Sequence, residues 1–264
     1  MSDSTLQPSL VLDGAAVDLG GRRVLEGVSA TVRGGETIAI VGRNGAGKTT
    51  LLRAIAGLCP LRAGSVRVGG SNVETLRPRT RATRLAFVAQ RPMLAAAFTV
   101  RETVSLGRYA LGGSPERADA AVDDALARFG LEGFRDREYH ELSVGQQQRV
   151  SLARAWAQAS PSTTLLLDEP FAAMDLGEVA RSIAVVRAHA ARGGAVLAVL
   201  HDLAMAHAFA TRVWVIDGGT LAADGPIEET LEPARLERWF GVPFARHPLG
   251  LTPDLRSPRT LREP

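Results

Sequence analysis

The sequence predicts an α/β fold, with a mostly parallel sheet core, an antiparallel β edge and an inserted helical lobe. Three observations predict it. Residues 37–41 (Thr-Ile-Ala-Ile-Val) form an apolar, β-rich run that passes through a glycine-rich turn into residues 51–56, which have helical spacing. Residues 164–167 and 195–200 are further short, mostly apolar runs, the pattern of strands covered on both faces. Between the first run and these, residues 91–160 read mostly as helix, including 116–129. The 264 residues, 45% hydrophobic, suffice to bury a full core as one domain with a lobe inserted.

Composition removes several function classes. No apolar run approaches the roughly 18 residues of a membrane-spanning helix. The first ten residues lack the basic and apolar regions of a signal peptide, so a cytoplasmic location is expected. Cys59 is the single cysteine, which excludes an internal disulfide and a cysteine-clustered zinc site. The net charge is only +3, because 28 acids nearly cancel 31 bases, and so small an excess does not point to a nucleic-acid partner.

Of those 31 bases, 30 are arginine and one, Lys48, is lysine. A site that keeps a slim ammonium in a chain otherwise committed to arginine is expected to be cramped and lined with anions or carbonyls. Its neighbours, Gly42-Arg43-Asn44-Gly45-Ala46-Gly47-Lys48-Thr49, read G-x-x-x-x-G-K-[ST], with Thr50 following. Glycines let consecutive N–H groups turn inward and cradle phosphate oxygens at a helix start. In this strand–loop–helix context Lys48 is expected to bridge the β- and γ-phosphates, and the Thr49 hydroxyl to ligate Mg²⁺. A dinucleotide fingerprint is ruled out because Thr50 stands where its third glycine would be needed. The expected ligand is a nucleoside triphosphate.

A metal-nucleotide site also needs carboxylates. The run at 164–167 ends in Asp168 and Glu169, which a buried strand would deliver to the ligand-binding edge of a parallel sheet. Asp168 is expected to hold Mg²⁺ and Glu169 to act as general base toward the attacking water. His201 follows the run at 195–200; it can donate a hydrogen bond to a γ-phosphate or serve structure alone. Gln90 ends the strand-like run 85–89 and has the same ambiguity, between sensing Mg²⁺ or the attacking water and opening a turn before Arg91-Pro92.

Residues 141–149, Glu-Leu-Ser-Val-Gly-Gln-Gln-Gln-Arg, contain Ser143, a good N-cap for a helix running to about Ala159. One reading is a capped helix with its glutamines outside. The other is a second anion site, because a serine hydroxyl, a glycine amide and the helix dipole converge there. A phosphate loop and a second phosphate-facing helix start in one chain point to a composite site shared between two copies.

In order and spacing, GRNGAGKT, Gln90, LSVGQ, LLLDEP, Ala173-Met174-Asp175 and His201 resemble the ATP-binding subunits of ABC transporters. The resemblance covers about residues 10–225 and implies a P-loop NTPase fold of ABC type, with ATP and Mg²⁺ as cofactors. It also implies a head-to-tail homodimer with ATP held between the phosphate loop of one copy and Ser143, Gly145 and Gln146 of the other, and with Asp175 at the dimer seam. No transmembrane segment is present, so the partners implied are integral-membrane permease subunits and, indirectly, an external substrate-binding protein, with the chain peripheral on the cytoplasmic face. Residues 98–109, 200–206 and 240–243, and His247-Pro248, look like the ATPases of importers for iron-siderophores, haem and cobalamin. The expected function is therefore ATP hydrolysis that energises import of a metal chelate. The alternatives are another transported substrate or a soluble non-transport ATPase of the same type.

The sequence departs from the family at two places. Val144 replaces the first glycine of the usual LSGGQ, for which reduced tolerance in the loop is expected. The aromatic that commonly stacks on adenine is replaced by Leu19 or Val17. The organisation expected is a nucleotide-binding core (1–90 and 161–225), a helical subdomain carrying the signature (91–160) and a tail (226–264). In the tail, 228–239 is expected to be helical and the last fifteen residues loose. Arg77, Arg79, Arg81 and Arg84 are expected to form a solvated face.

Overall fold

A run that is apolar at every position can serve as a strand only if both of its faces are covered. That requirement organises the molecule. The computed structural model describes residues 8–90, 97–247 and 250–253. It opens with β1 (Leu10–Leu19) and β2 (Arg22–Val32), then β3 (Thr37–Val41), helix α1 (Lys48–Ile55), β4 (Ala63–Val68) and β5 (Ser71–Asn72). Helix α2 (Pro78–Arg84) and β6 (Leu85–Val88) precede the helical segment, α3 (Val100–Ser105), α4 (Pro115–Arg128) and α5 (Val144–Gln158). Strand–helix alternation then resumes with β7 (Thr164–Asp168), α6 (Leu176–Ala191), β8 (Ala195–Val199), α7 (Leu203–Phe209) and β9 (Arg212–Asp217). The chain continues through β10 (Thr220–Pro226), α8 (Ile227–Thr230), α9 (Pro233–Phe240) and a hairpin of β11 (Phe244–His247) and β12 (Gly250–Pro253).

The central sheet has the order β10-β9-β3-β8-β7-β6, parallel throughout except for β10, which runs antiparallel to β9 at the edge. A second, antiparallel sheet has the order β2-β1-β4-β5. Period-two alternation divides the central strands between two cores. Ile38, Ile40, Leu166, Leu197 and Trp214 face the antiparallel sheet and α1. Ala39, Leu165, Leu167, Val196 and Val213 face the other way, toward a core that includes Val104, Leu126, Val150 and Ala153 of the helical segment.

The helical segment is tied down by one buried guanidinium. Arg149, on α5, donates to the carbonyls of Phe129 (3.2 Å) and Gly130 (3.4 Å) beyond the end of α4, and pairs with Glu178 on α6. Burial of such a cation is tolerable because carbonyls and a carboxylate surround it.

Two expectations are corrected. The tail helix is not continuous over 228–239: α8 stops at Thr230 and α9 restarts at Pro233, whose missing N–H and fixed φ suit a first helical position and not an interior one. The arginines around α2 are not simply solvated. Arg81 donates to Gly57 O (3.2 Å) and Arg84 to Val68 O (2.8 Å), clamping α2 to the end of α1 and to β4, while Arg77 and Arg79 are exposed. The turn expected at Arg91-Pro92, Pro248 and the end of the tail from residue 254 lie outside the described residues.

Candidate active site

The site begins where β3 hands over to α1. Gly42 sits at φ 150°, and a Cβ there would lie 2.1 Å from the carbonyl oxygen of Ile216, so backbone contact admits only glycine. Gly47, at φ 104°, is the N-cap of α1 and offers no side chain to its first N–H groups. Those donors, aligned with the positive end of the helix dipole, are left for a ligand. Lys48 is buried, and its Nζ donates to the carbonyls of Gly42 (2.7 Å) and Arg43 (2.9 Å). Burial lowers its pKa, opposed by the charges of Glu169 and Asp168.

Strand β7 brings Asp168 to the same place. Thr49 Oγ1 donates to Asp168 Oδ1 at 3.1 Å. Asp168 is 1% exposed, and burial, with Glu169 alongside, raises its pKa, while the Thr49 hydrogen bond and the nearby cations Arg53 and Lys48 pull it back. The next residue, Glu169, has its carboxylate hydrogen-bonded to His201 Nε2, just past β8. A cleft of about 500 Å³ is lined by Asn44, Gly45 and Gly47 of the turn, by Lys48, Thr49 and Thr50, and by Gln90, Glu169 and His201. Six sequence-predicted positions from the turn are therefore joined, in one concavity, by three from distant parts of the chain. Leu19 and Val24 also line it. Of the two residues considered for the adenine position, Val17 is fully buried in the core of the antiparallel sheet, and Leu19 alone faces the cleft.

The start of α5 lies elsewhere and contributes nothing to this cleft. Ser143 and Gln146 form a reciprocal cap: Gln146 N donates to Ser143 Oγ (3.3 Å) and Ser143 N to Gln146 Oε1 (3.0 Å). Val144 is the first helical residue, has no positive φ and is exposed, so the valine sits on unstrained backbone. Gly145 is buried, and a Cβ there would lie 2.2 Å from Ala173 O. Asp175 caps α6, accepting from Glu178 N at 2.8 Å.

Comparison with known proteins places this architecture. A family model described as ABC transporter matches residues 25–172. The hemin import ATP-binding protein HmuV of Streptomyces coelicolor is 43% identical over 237 residues, covering 89% of this chain and 84% of that one. The proteins of the same name from Rhodococcus jostii and Rhizobium etli are 39% and 40% identical, over 91% and 87% of this chain. The chain belongs to the ABC transporter family. Among solved structures, an ATP-binding subunit of an ABC transporter superposes with a TM-score of 0.77 at 26% identity, covering 88% of this chain and 93% of that one. A dimeric ATP-binding cassette in a post-hydrolysis state, bound to ADP and phosphate, gives 0.73 at 26% identity over 83% and 98%.

As an ABC ATPase the protein binds ATP with Mg²⁺. Its donor set fits that metal: a hydroxyl, a buried carboxylate and an amide are hard oxygen ligands, sparse enough to leave positions for phosphate oxygens and water. Among the described residues, no helix is long and apolar enough to cross a membrane.

Sequence reasoning missed two residues in the site. Val24 joins Leu19 because the Gly20-Gly21 turn folds β2 back beside the phosphate loop, and only the register of that hairpin reveals it. Under the capped-helix reading Gln148 is one of three glutamines turned outward, yet it is 2% exposed and donates from Nε2 to Glu169 O at 3.4 Å. Helical spacing was the available signal, since position 148 shares a face with Ser151, Leu152 and Ala155, all buried.

Proposed function

We propose that this chain is the ATP-hydrolysing subunit that energises uptake of a metal chelate of the haem type through a separate membrane permease. One observation carries the hydrolytic part: Glu169 and His201, from the ends of two parallel strands, meet by hydrogen bond in the cleft that also holds Lys48 and Thr49. The haem part is supported by the names of relatives at about 40% identity that match this chain over most of its length.

The roles follow from position. Amides of residues 42–50 (Gly42, Arg43, Asn44, Gly45, Ala46, Gly47, Lys48, Thr49 and Thr50) cradle the phosphates, and the Lys48 ammonium leaves its loop carbonyls for the β- and γ-phosphate oxygens. Thr49, Asp168 and Gln90 would hold Mg²⁺, whose charge would neutralise the phosphates. Water attacks the γ-phosphorus in line as the bond to the β-phosphate oxygen breaks, and Glu169 takes the proton that the water loses. His201, kept beside Glu169, donates to a γ-phosphate oxygen.

A second copy completes the site with Ser143, Gly145 and Gln146. The Ser143 oxygen accepts from Gln146 N within its own helix, but its O–H remains to donate to phosphate. Asp175 lies at the seam between copies. Closure of this dimer on ATP moves the permease, and hydrolysis reopens it. The core (1–90, 161–225) and the helical part (91–160) divide nucleotide binding from signature presentation. The chain works peripherally at the cytoplasmic face, with an external binding protein supplying the cargo.

The test is reconstitution with the permease in proteoliposomes. Wild-type protein is expected to drive ATP-dependent haem accumulation. Glu169→Gln is expected to bind ATP and dimerise while losing about 10²- to 10⁴-fold in turnover. Undiminished hydrolysis by this variant would remove Glu169 from its role, and ATPase activity indifferent to haem and permease would remove the import reading.

A further inference from the structure

Glu169 adopts φ 49°, one of two non-glycine residues with positive φ among those described, the other being Ala173. The left-handed region crowds a Cβ against the backbone, so a glutamate stays there only when its surroundings hold it. Both ends of the residue are held. Its N–H donates to Val199 O on β8 at 3.2 Å. Its carbonyl accepts from Ala172 N at 3.4 Å and from Gln148 Nε2 at 3.4 Å. The first two contacts come from the neighbouring strand and from the same turn. The third comes from the second turn of α5, a helix that otherwise packs through Val150, Leu152 and Ala153. A carboxamide buried on such a face is costly unless its hydrogen bonds are made, and no step above uses it.

We propose that Gln148 is a positioning residue for hydrolysis: its carboxamide fixes the Glu169 peptide in the left-handed conformation that carries the carboxylate to His201. The inference rests on the reading of Glu169 as the base. Without this donor the Glu169 carbonyl keeps only the long Ala172 contact. The peptide then relaxes toward a common conformation and the carboxylate swings away from His201. The nucleotide cradle, built from β3, α1 and Thr49, is untouched.

Gln148→Met keeps the length and volume of the side chain and removes the donor. In the full-length protein with its permease, kcat is expected to fall about 3- to 10-fold, the effect of one neutral hydrogen bond. KM and the Kd for ATP should stay within about twofold, with Tm unchanged. Gln148→Glu places an acceptor against the carbonyl and should lose more; it is judged by the same split if the methionine variant does not fold. Combined with Glu169→Gln, Gln148→Met should reduce turnover no further. Wild-type kcat in both Gln148 variants, or KM, kcat and Tm falling together, overturns the proposal. If Glu169→Gln itself hydrolyses normally, the reading of the base fails, independently of Gln148.

Discussion

The chain begins two helices with anion-facing potential, and it finishes them differently. At α1 the N-cap is a glycine with no side chain to offer, the cleft in front is lined by the same chain, and a buried ammonium and a buried carboxylate stand beside it. At α5 the N-cap is a serine in a reciprocal cap with Gln146, and Ser143 and Val144 are exposed while Gly145 packs against Ala173. The first is left chemically incomplete and needs a ligand. The second is complete as folded, so what remains to give is one hydroxyl proton and the helix dipole. Affinity for nucleotide should therefore reside almost wholly in α1, while α5 should matter to turnover in the assembled dimer.

The largest expected effect tests that division directly. Lys48→Ala removes a charge-assisted contact of about 1.5–3 kcal/mol, so ATP affinity in the isolated chain should fall about 10- to 150-fold. Ser143→Ala should leave the same titration unchanged and lower only the activity of the assembled transporter. Equal losses of affinity in the two variants would collapse the distinction between the helix starts.

The next effect concerns how α5 is held. A methyl group on Gly145 would meet Ala173 O at 2.2 Å, and Ala173 itself sits at φ 61° two residues before Asp175. Gly145→Ala should cost about 1–3 kcal/mol by overpacking, read as a lower thermal midpoint. ATP affinity of the isolated chain should not change. Wild-type stability would mean that the loop at 173–175 yields easily and that its contact with α5 carries no geometric demand.

The two regions also differ in how far the sequence discloses them. Lys48, Thr49, Asp168 and Glu169 were legible because phosphate and metal chemistry restricts residue type, and short apolar strands announce where their ends go. The parallel sheet was legible for the same reason. What stayed hidden depended on which way a residue faces. Val17 and Leu19 lie on one strand, yet one enters the core and the other the cleft, and bulges in β1 decide which. Gly145 reads as a phosphate-facing glycine, and the structure adds that Ala173 leaves no room for a Cβ. Gln148 looks like one of three equivalent polar residues until α5 is docked on the sheet. Pro233, by contrast, was a visible signal that the tail helix is interrupted.

The smallest effect separates the regions electrostatically. Burial raises the Asp168 pKa and lowers that of Lys48, so both charged forms are unfavourable in the free protein and are relieved when ligand binds. A carboxylate whose folded pKa lies above its unfolded value binds its proton more tightly in the native state. Its contribution is therefore most favourable below the unfolded pKa of about 4 and is lost as pH rises through the folded value. Asp168→Asn does not titrate. Without nucleotide it should melt at most a few degrees above wild type at pH 7, a gap that closes as pH falls toward about 4, while Mg²⁺-dependent hydrolysis is lost. Lowered stability of this variant at neutral pH would show that the Thr49 hydrogen bond and the nearby cations outweigh burial. The α1 pocket would then be as self-sufficient without ligand as the capped start of α5.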